Sequence, residues 1–383
     1  MKSDHPVCES TRRQLMLYRT TSQIIGARMT GKLSQLMYRF HLIHPELKTY
    51  FVLSTEPLII YLGNVMRHLF EIAELFKNRR VYFIKNFYHT FEADARIPEL
   101  IEQYQQFRTY YPQHKIYFMC ATGKEQKLFA QNGLEPCYFI NKNAFVDERQ
   151  YNIIPEAEKK FDAIYNAQLS TYKRHQLASQ VRNLSLIVYR HPYIGRTPEN
   201  DEYIKMVRRE LSSATWFNDI DQRIPPSQVP TYLNRARVGL CLSAEEGPMA
   251  ASMEYMLCGL PVVSTRSLGG RDVFFNPEYS IIVNDHKKEI ADAVLEILDR
   301  NLSPEYVRNC VLKKVEVHRK RFIDLVDEIY KDNGLEKCFA EEFNRLFVNK
   351  LRTSAPFPGA LITHANKGMP IETCRYLARN MVT

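Results

Sequence analysis

Glu246 and Glu254 flank the seven-residue run Gly247-Pro248-Met249-Ala250-Ala251-Ser252-Met253. A carboxylate only accepts hydrogen bonds, so two of them on one element suit a molecule that offers hydroxyls at two places. If the run is helical, Glu254 falls about two turns along it, roughly 10 Å beyond Glu246 at 1.5 Å per residue. The start of such a helix also presents unpaired backbone N–H groups and a positive dipole end, which favour an anion.

The flanking residues set that geometry. The run 238–243, Val-Gly-Leu-Cys-Leu-Ser, is short and apolar with a polar turn behind it, as a buried parallel strand requires. It delivers Glu246 to a loop. Gly247-Pro248 fit a turn, residues 249–258 are good helix formers, and Gly259 followed by Pro261 stops the helix. Residues 261–264 read as the next buried strand. A ligand with phosphate near the helix start and hydroxyls at both carboxylates would meet all of these features, and a nucleotide-sugar has that layout. The competing reading makes Glu246 a partner of the helix dipole and Glu254 a solvated helix residue.

The order Glu246-Gly247-Pro248, Glu254, Cys258-Gly259-Leu260-Pro261-Val262-Val263-Ser264-Thr265 resembles the E-x7-E signature of retaining GT-B glycosyltransferases of the group 1 (family 4) type. The resemblance implies that Glu246 touches the donor sugar near its reacting carbon and that Glu254 binds the ribose hydroxyls. Gly247, with Pro248 and Met249 beside it, would let the backbone approach the donor. Ser267-Leu268-Gly269-Gly270 resembles the family's Gly-rich loop against the diphosphate, where absent Cβ atoms permit close approach. The stretch 161–175 resembles the G-R-L-x-x-x-K-G segment that opens the family's C-terminal domain. There Lys173 takes the place of the lysine that neutralises the leaving diphosphate and Gln168 that of its arginine, so Arg174, Arg266 or Arg271 would have to supply the second cation.

The fold class implied is α/β in the GT-B architecture, two Rossmann-like doubly wound domains facing across a cleft with C-terminal helices crossing back. Chain length suits two domains, and 45% hydrophobic content excludes a disordered chain. Short apolar runs at 50–53, 81–84, 116–120, 184–189, 238–242, 261–264 and 280–283 alternate with helical stretches, the signature of doubly wound parallel sheets. A strand at 137–140 follows a helix near 125–131, and the polar segment 141–148 falls where the first domain hands over to the second. We therefore expect an N-terminal acceptor domain over 1–150, a donor domain over 151–303 and a helical extension over 304–383 that packs back on the first. The N-terminal part lacks the family's Gly-rich loop near its start.

The formal charge of +9 is densest in Lys313-Lys314-Val315-Glu316-Val317-His318-Arg319-Lys320-Arg321. A solvated helix explains such a run, and contact with an anionic membrane surface is its other use. Aromatic residues fall within apolar runs and no nucleic-acid motif accompanies them, so nucleic acid is not an expected partner. No run approaches the ~20 apolar residues of a membrane span and no secretory h-region opens the chain, so a cytoplasmic protein, in places peripheral to the inner membrane face, is expected. The eight cysteines form no C-x-x-C pair and no zinc spacing, and several lie in expected strands or helices, so buried free thiols are the expectation. Among the histidines, His41, His44, His175 and His191 read as structural. His89, after an N-terminal strand, is the one to contact the acceptor side.

The expected function is thus sugar transfer from a nucleotide-sugar to a hydroxyl acceptor, a glycan or lipid-linked saccharide, with retention, no bound metal and no cofactor beyond the co-substrate. The alternative is a non-catalytic GT-B-like nucleotide-binding scaffold, motivated by Gln168 and by the missing N-terminal Gly-rich loop. An epimerase or phosphorylase on the same architecture is a further enzyme reading, without a motif for a pyridoxal lysine.

Overall fold

The computed structural model describes residues 50–347 other than 64–65, 67–68, 71–72, 74–75, 77, 94 and 191–196, so His41, His44, His191, Cys8 and Cys374 lie outside the described residues. The described elements form two sheets. The first has the order β1-β2-β3-β4-β5, from strands β1 (Tyr50–Thr55), β2 (Leu58–Leu62), β3 (Val81–Asn86), β4 (Lys115–Cys120) and β5 (Cys137–Phe139). β1 is antiparallel to β2, while β2 with β3 and β4 with β5 are parallel. Two helices accompany it, α1 (Ile97–Tyr110) and α2 (Gly123–Gln131).

The second sheet is wholly parallel and contains β6 (Phe161–Gln168), β7 (Leu184–Tyr189), β8 (Thr215–Trp216), β9 (Ala236–Cys241), β10 (Val262–Thr265) and β11 (Ser280–Val283). Its order is β11-β10-β9-β6-β7-β8. Read from the other edge this is the doubly wound order, with the first strand central and the chain switching direction between β6 and β9. Between the strands run α3 (Pro198–Glu210), α4 (Val229–Leu233) and α5 (Ala250–Leu257), and α6 (Lys287–Asp299) follows β11. The chain ends its described part with α7 (Pro304–Asp332) and α8 (Ala340–Phe347).

All seven strands expected from apolar runs are present. The central strand β6 was not among them. Its sequence FDAIYNAQ interrupts the apolar pattern with Asp162, Asn166 and Gln168, and Asn166 is tolerated because its side chain and main chain are both bonded, as described below. Contacts divide the chain into two compact units whose boundary falls within β4. The described part of one comprises residues 50–86 and 98–117, and that of the other 87–97 and 118–347.

In the first unit, α1 packs its apolar side on β3: Phe107 meets Phe83 edge-on at 6.0 Å and Phe70 at 5.4 Å. In the second, α5 lies so close to β9 that a Cβ on Gly239 would stand 2.3 Å from the Tyr255 ring. Gly259, at φ +77, ends α5 in the left-handed conformation that its missing side chain allows. α7 begins at the cap Ser303, whose hydroxyl accepts from Tyr306 N at 3.1 Å, with Pro304 at the first helical position. Its buried stripe Val307, Val311, Val315, His318, Phe322 recurs at helical spacing, and Phe322 meets Phe145 at 5.0 Å.

The basic run of α7 is largely occupied within this unit. Arg319 donates to Ala144 O at 2.7 Å and pairs with Glu148, Lys314 donates to Phe275 O at 2.5 Å, and Arg321 lies 5.1 Å from the Phe139 ring centre. His318 is buried between Phe139 and Phe274, and burial pushes its pKa down to about 4. Among the described residues, no helix is long and apolar enough to cross a membrane.

Candidate active site

In a doubly wound sheet the strands' carboxyl ends diverge at the switch point and leave a crevice there. Here that point lies between the ends of β6 and β9, which deliver Gln168 to Lys173 on one side and Leu242 to Glu246 on the other. The two loops meet through their charges. Lys173 Nζ lies 2.5 Å from Glu246 Oε1, with the lysine side chain 6% and the glutamate side chain 22% exposed. Lys173 is aimed by its own backbone: Tyr165, in β6, donates its hydroxyl to Lys173 O at 2.6 Å, and the next residue, Arg174, takes φ 54. A side chain in that left-handed region costs about 1 kcal/mol, and three bonds hold it: Arg174 donates to Leu242 O, Thr265 Oγ1 and Asp285.

Glu246 is also held on its other oxygen. Ser243 Oγ donates to Glu246 Oε2 at 2.7 Å, and Arg271 Nη1 donates to Ser243 Oγ at 2.7 Å and to Ser243 O at 2.9 Å. Arg271 is 1% exposed, and its second nitrogen donates to Thr265 O at 2.5 Å. A cavity of about 130 Å³ lined by Thr265, Arg266, Ser267, Arg271, Asp272 and Ile282 opens beside it.

Glu254, in α5, is buried, and Asn166 Nδ2 donates to its Oε2 at 3.2 Å. The neighbouring Tyr255 hydroxyl accepts from Asn166 N at 2.6 Å, so one residue of β6 registers α5 against the sheet. The cap position of α5 is Met249, whose side chain makes no capping bond to the first amides. Asn143 holds Met249 from behind, donating to its carbonyl at 2.9 Å.

The glycines expected to approach a ligand meet protein along their missing Cβ directions. A Cβ on Gly247 would lie 2.1 Å from Tyr88 O, and one on Gly269, at φ +98, would lie 1.8 Å from Glu246 O. A Cβ on Gly270 would meet Thr122 and Ala121, and Asn141 clasps Gly270 O at 2.8 Å. The Gly-rich loop therefore fixes the Glu246 backbone directly, helped by the parallel bridge between Glu245 and Leu268. Pro248 is buried in the loop that carries Glu246. Gln168 brings no charge: its Nε2 donates to Tyr172 OH at 2.6 Å and to Ser170 Oγ at 3.2 Å.

Residues 172–300 match the family described as glycosyl transferases group 1. This region is a group 1 glycosyl transferase domain. For this region the match gives the reaction class, glycosyl transfer. Sucrose-phosphate synthase from Thermosynechococcus elongatus is similar in structure, with a TM-score of 0.55 at 13% identity over 72% of this chain and 74% of its own. HepE from Anabaena in complex with UDP gives 0.54 at 14% over 70% and 78%, and the same protein in complex with UDP and glucose gives 0.52 at 14% over 70% and 77%. At such identities the likeness is one of fold, and that fold is GT-B. No curated protein sequence matches the chain.

Around the Lys173–Glu246 pair stand residues whose part was not legible from spacing. Lys142 Nζ lies 3.8 Å over the Tyr88 ring. Burial pushes its pKa down to about 7, against the charge of Glu246, which raises it. His89 is half-buried, its ring 4.7 Å from Phe91, and its backbone N would lie 3.2 Å from a Cβ on Gly247. Its segment is tied down by Glu125, which accepts from Phe91 N at 3.1 Å and from Ala121 N at 2.6 Å. His175 is wholly buried, bonded to Tyr203, with its pKa pushed down to about 3 by burial and by Lys173. It is a neutral core residue. Ser243, Asn166 and Arg271, which bond Glu246, Glu254 or each other, are residues that sequence reasoning left aside or gave another task. A polar residue inside a strand, as at Asn166, was the available signal.

Proposed function

We propose that the chain transfers a sugar from a UDP-linked donor to a hydroxyl acceptor on a glycan or lipid-linked saccharide, with retention and without a bound metal. The observation that carries this reading is the Lys173–Glu246 pair at the sheet's switch point, with Glu254 buried farther along α5. UDP is chosen because HepE, which shares the fold, was captured with it.

Chemically, the departing diphosphate needs cations that are in place before the bond breaks. Lys173 is such a cation, already aimed by the Tyr165 bond. A bound diphosphate would compete with Glu246 for its ammonium, which frees Glu246 Oε1 for a donor-sugar hydroxyl. Glu254, presented from α5, would accept from the ribose. Gln168 supplies no second charge, and Arg174 and Arg271 are tied to the ends of β9 and β10. Lys142, whose ammonium lies over the Tyr88 ring and feels the charge of Glu246, takes that part in this reading. Metal independence follows in the reading from these protein cations, and retention from Glu246 standing by the sugar face. Lys313 and Lys320, the exposed lysines of the α7 run, are the groups that would meet an anionic membrane carrying the acceptor.

The neutral, doubly bonded Gln168 favours one second reading, a nucleotide-binding scaffold without transfer. Release of UDP from UDP-sugars, followed with and without chelator, separates the two. Turnover that survives chelator supports the transferase, and UDP binding without any turnover supports the scaffold.

A further inference from the structure

We propose that Arg271 and Ser243 form a positioning relay that holds the Glu246 carboxylate in the orientation in which it meets the donor sugar. The proposal rests on the donor reading above and adds two residues to it. The relay is a chain of directed bonds: Arg271 Nη1 to Ser243 Oγ at 2.7 Å, then Ser243 Oγ to Glu246 Oε2 at 2.7 Å. A serine hydroxyl carries one proton. Because a guanidinium, which only donates, occupies one of its two lone pairs and cannot take the proton, that proton has the carboxylate as its acceptor. The guanidinium cannot swing away, since its other nitrogen is anchored to Thr265 O at 2.5 Å and Thr265 Oγ1 at 3.2 Å, and Arg271 and Ser243 are both buried.

The consequence is a division of labour between the two carboxylate oxygens. Oε1 is held by Lys173, a partner that a diphosphate can draw away. Oε2 is held by a serine that no ligand needs to reach. When Lys173 turns to the phosphates, Glu246 keeps its orientation instead of rotating after the ammonium. Charge-assisted bonds in a buried chain polarise one another, which strengthens the serine's donation. A purely architectural role, tying the β9 loop to the end of β10, would use the Arg271 bonds to Ser243 O and Thr265 O and would have no use for the hydroxyl.

The test uses Ser243→Ala and Ser243→Thr in the full chain, because deleting Arg271 would strand buried carbonyls and confuse folding with function. Affinities for UDP and UDP-glucose are measured by calorimetry and UDP release from UDP-glucose by kinetics. Ser243→Ala should bind UDP as the wild type does, bind UDP-glucose about ten-fold more weakly, and release UDP about 10- to 100-fold more slowly. Ser243→Thr, which keeps the hydroxyl, should recover both. Equal behaviour of Ser243→Ala and wild type overturns the relay alone, as does an equal loss of UDP and UDP-glucose binding that threonine does not rescue. A folded wild type that binds neither UDP nor UDP-glucose overturns the donor reading and the relay with it.

Discussion

Lys173 Nζ stands 2.5 Å from Glu246 Oε1, so the cation and the carboxylate of the site neutralise each other before any donor arrives. In the proposed reading, each holds the place of the ligand for the other. This arrangement keeps a mostly buried ammonium paired, since an unpaired charge there would be costly. In the proposed reading, donor binding is an exchange of partners.

Lys173→Ala should therefore lower turnover of a UDP-sugar far more than it lowers stability. Loss of a preorganised charge on a leaving group costs on the order of 10² to 10³ in kcat. Steady-state kinetics beside a thermal melt checks the split. A variant that loses its fold and its activity together would place Lys173 in the structure only.

Gly269→Ala should destabilise the domain severely. A Cβ there would lie 1.8 Å from Glu246 O, and φ +98 strains any side chain. The control is Gly334→Ala, at φ +71 with nothing within 4 Å, which should cost only about 1 kcal/mol. Chemical denaturation of both variants gives the comparison. Similar losses at the two positions would mean that the close approach of the Gly-rich loop to Glu246 carries no energy.

Glu125 predicts a pH dependence of stability. Burial raises its pKa to about 7, with the charge of Glu92 adding to the rise and the amides of Ala121 and Phe91 opposing it. The folded state thus holds a proton that the unfolded chain releases near its ordinary value of 4.5. The stability it contributes is fully present below that value and is lost as pH rises to about 7, by about 3 kcal/mol at 1.36 kcal/mol per unit. Glu125→Gln, which cannot ionise, should flatten the fall in melting temperature between pH 4.5 and 7. An unchanged slope would mean that another group titrates.

Much of the candidate site's framework was legible because its residues are close in sequence: Glu246, Gly247 and Glu254 lie on one strand–helix unit whose apolar run and helix stop can be read locally. The strands were legible for the same reason, since buried parallel strands are continuous apolar runs. β6 was missed because its polar residues are satisfied by distant partners, Asn166 by Glu254 and Tyr255. Ser243 and Arg271 are 28 positions apart, and nothing in either local sequence announces the bond. The basic run of α7 was readable as charge but not as contact, because Arg319 and Lys314 bond to carbonyls, which any sequence has.

The most direct measurement is the melting temperature of the wild type and of Glu254→Gln in UDP, GDP, ADP and CMP. A ligand bound only by the folded state at 100 times its Kd adds about 2.7 kcal/mol, a rise on the order of 5 °C for domains of this size. The account predicts that rise with UDP for the wild type and a much smaller one for Glu254→Gln. A folded wild type that shifts with none of the four nucleotides would contradict it.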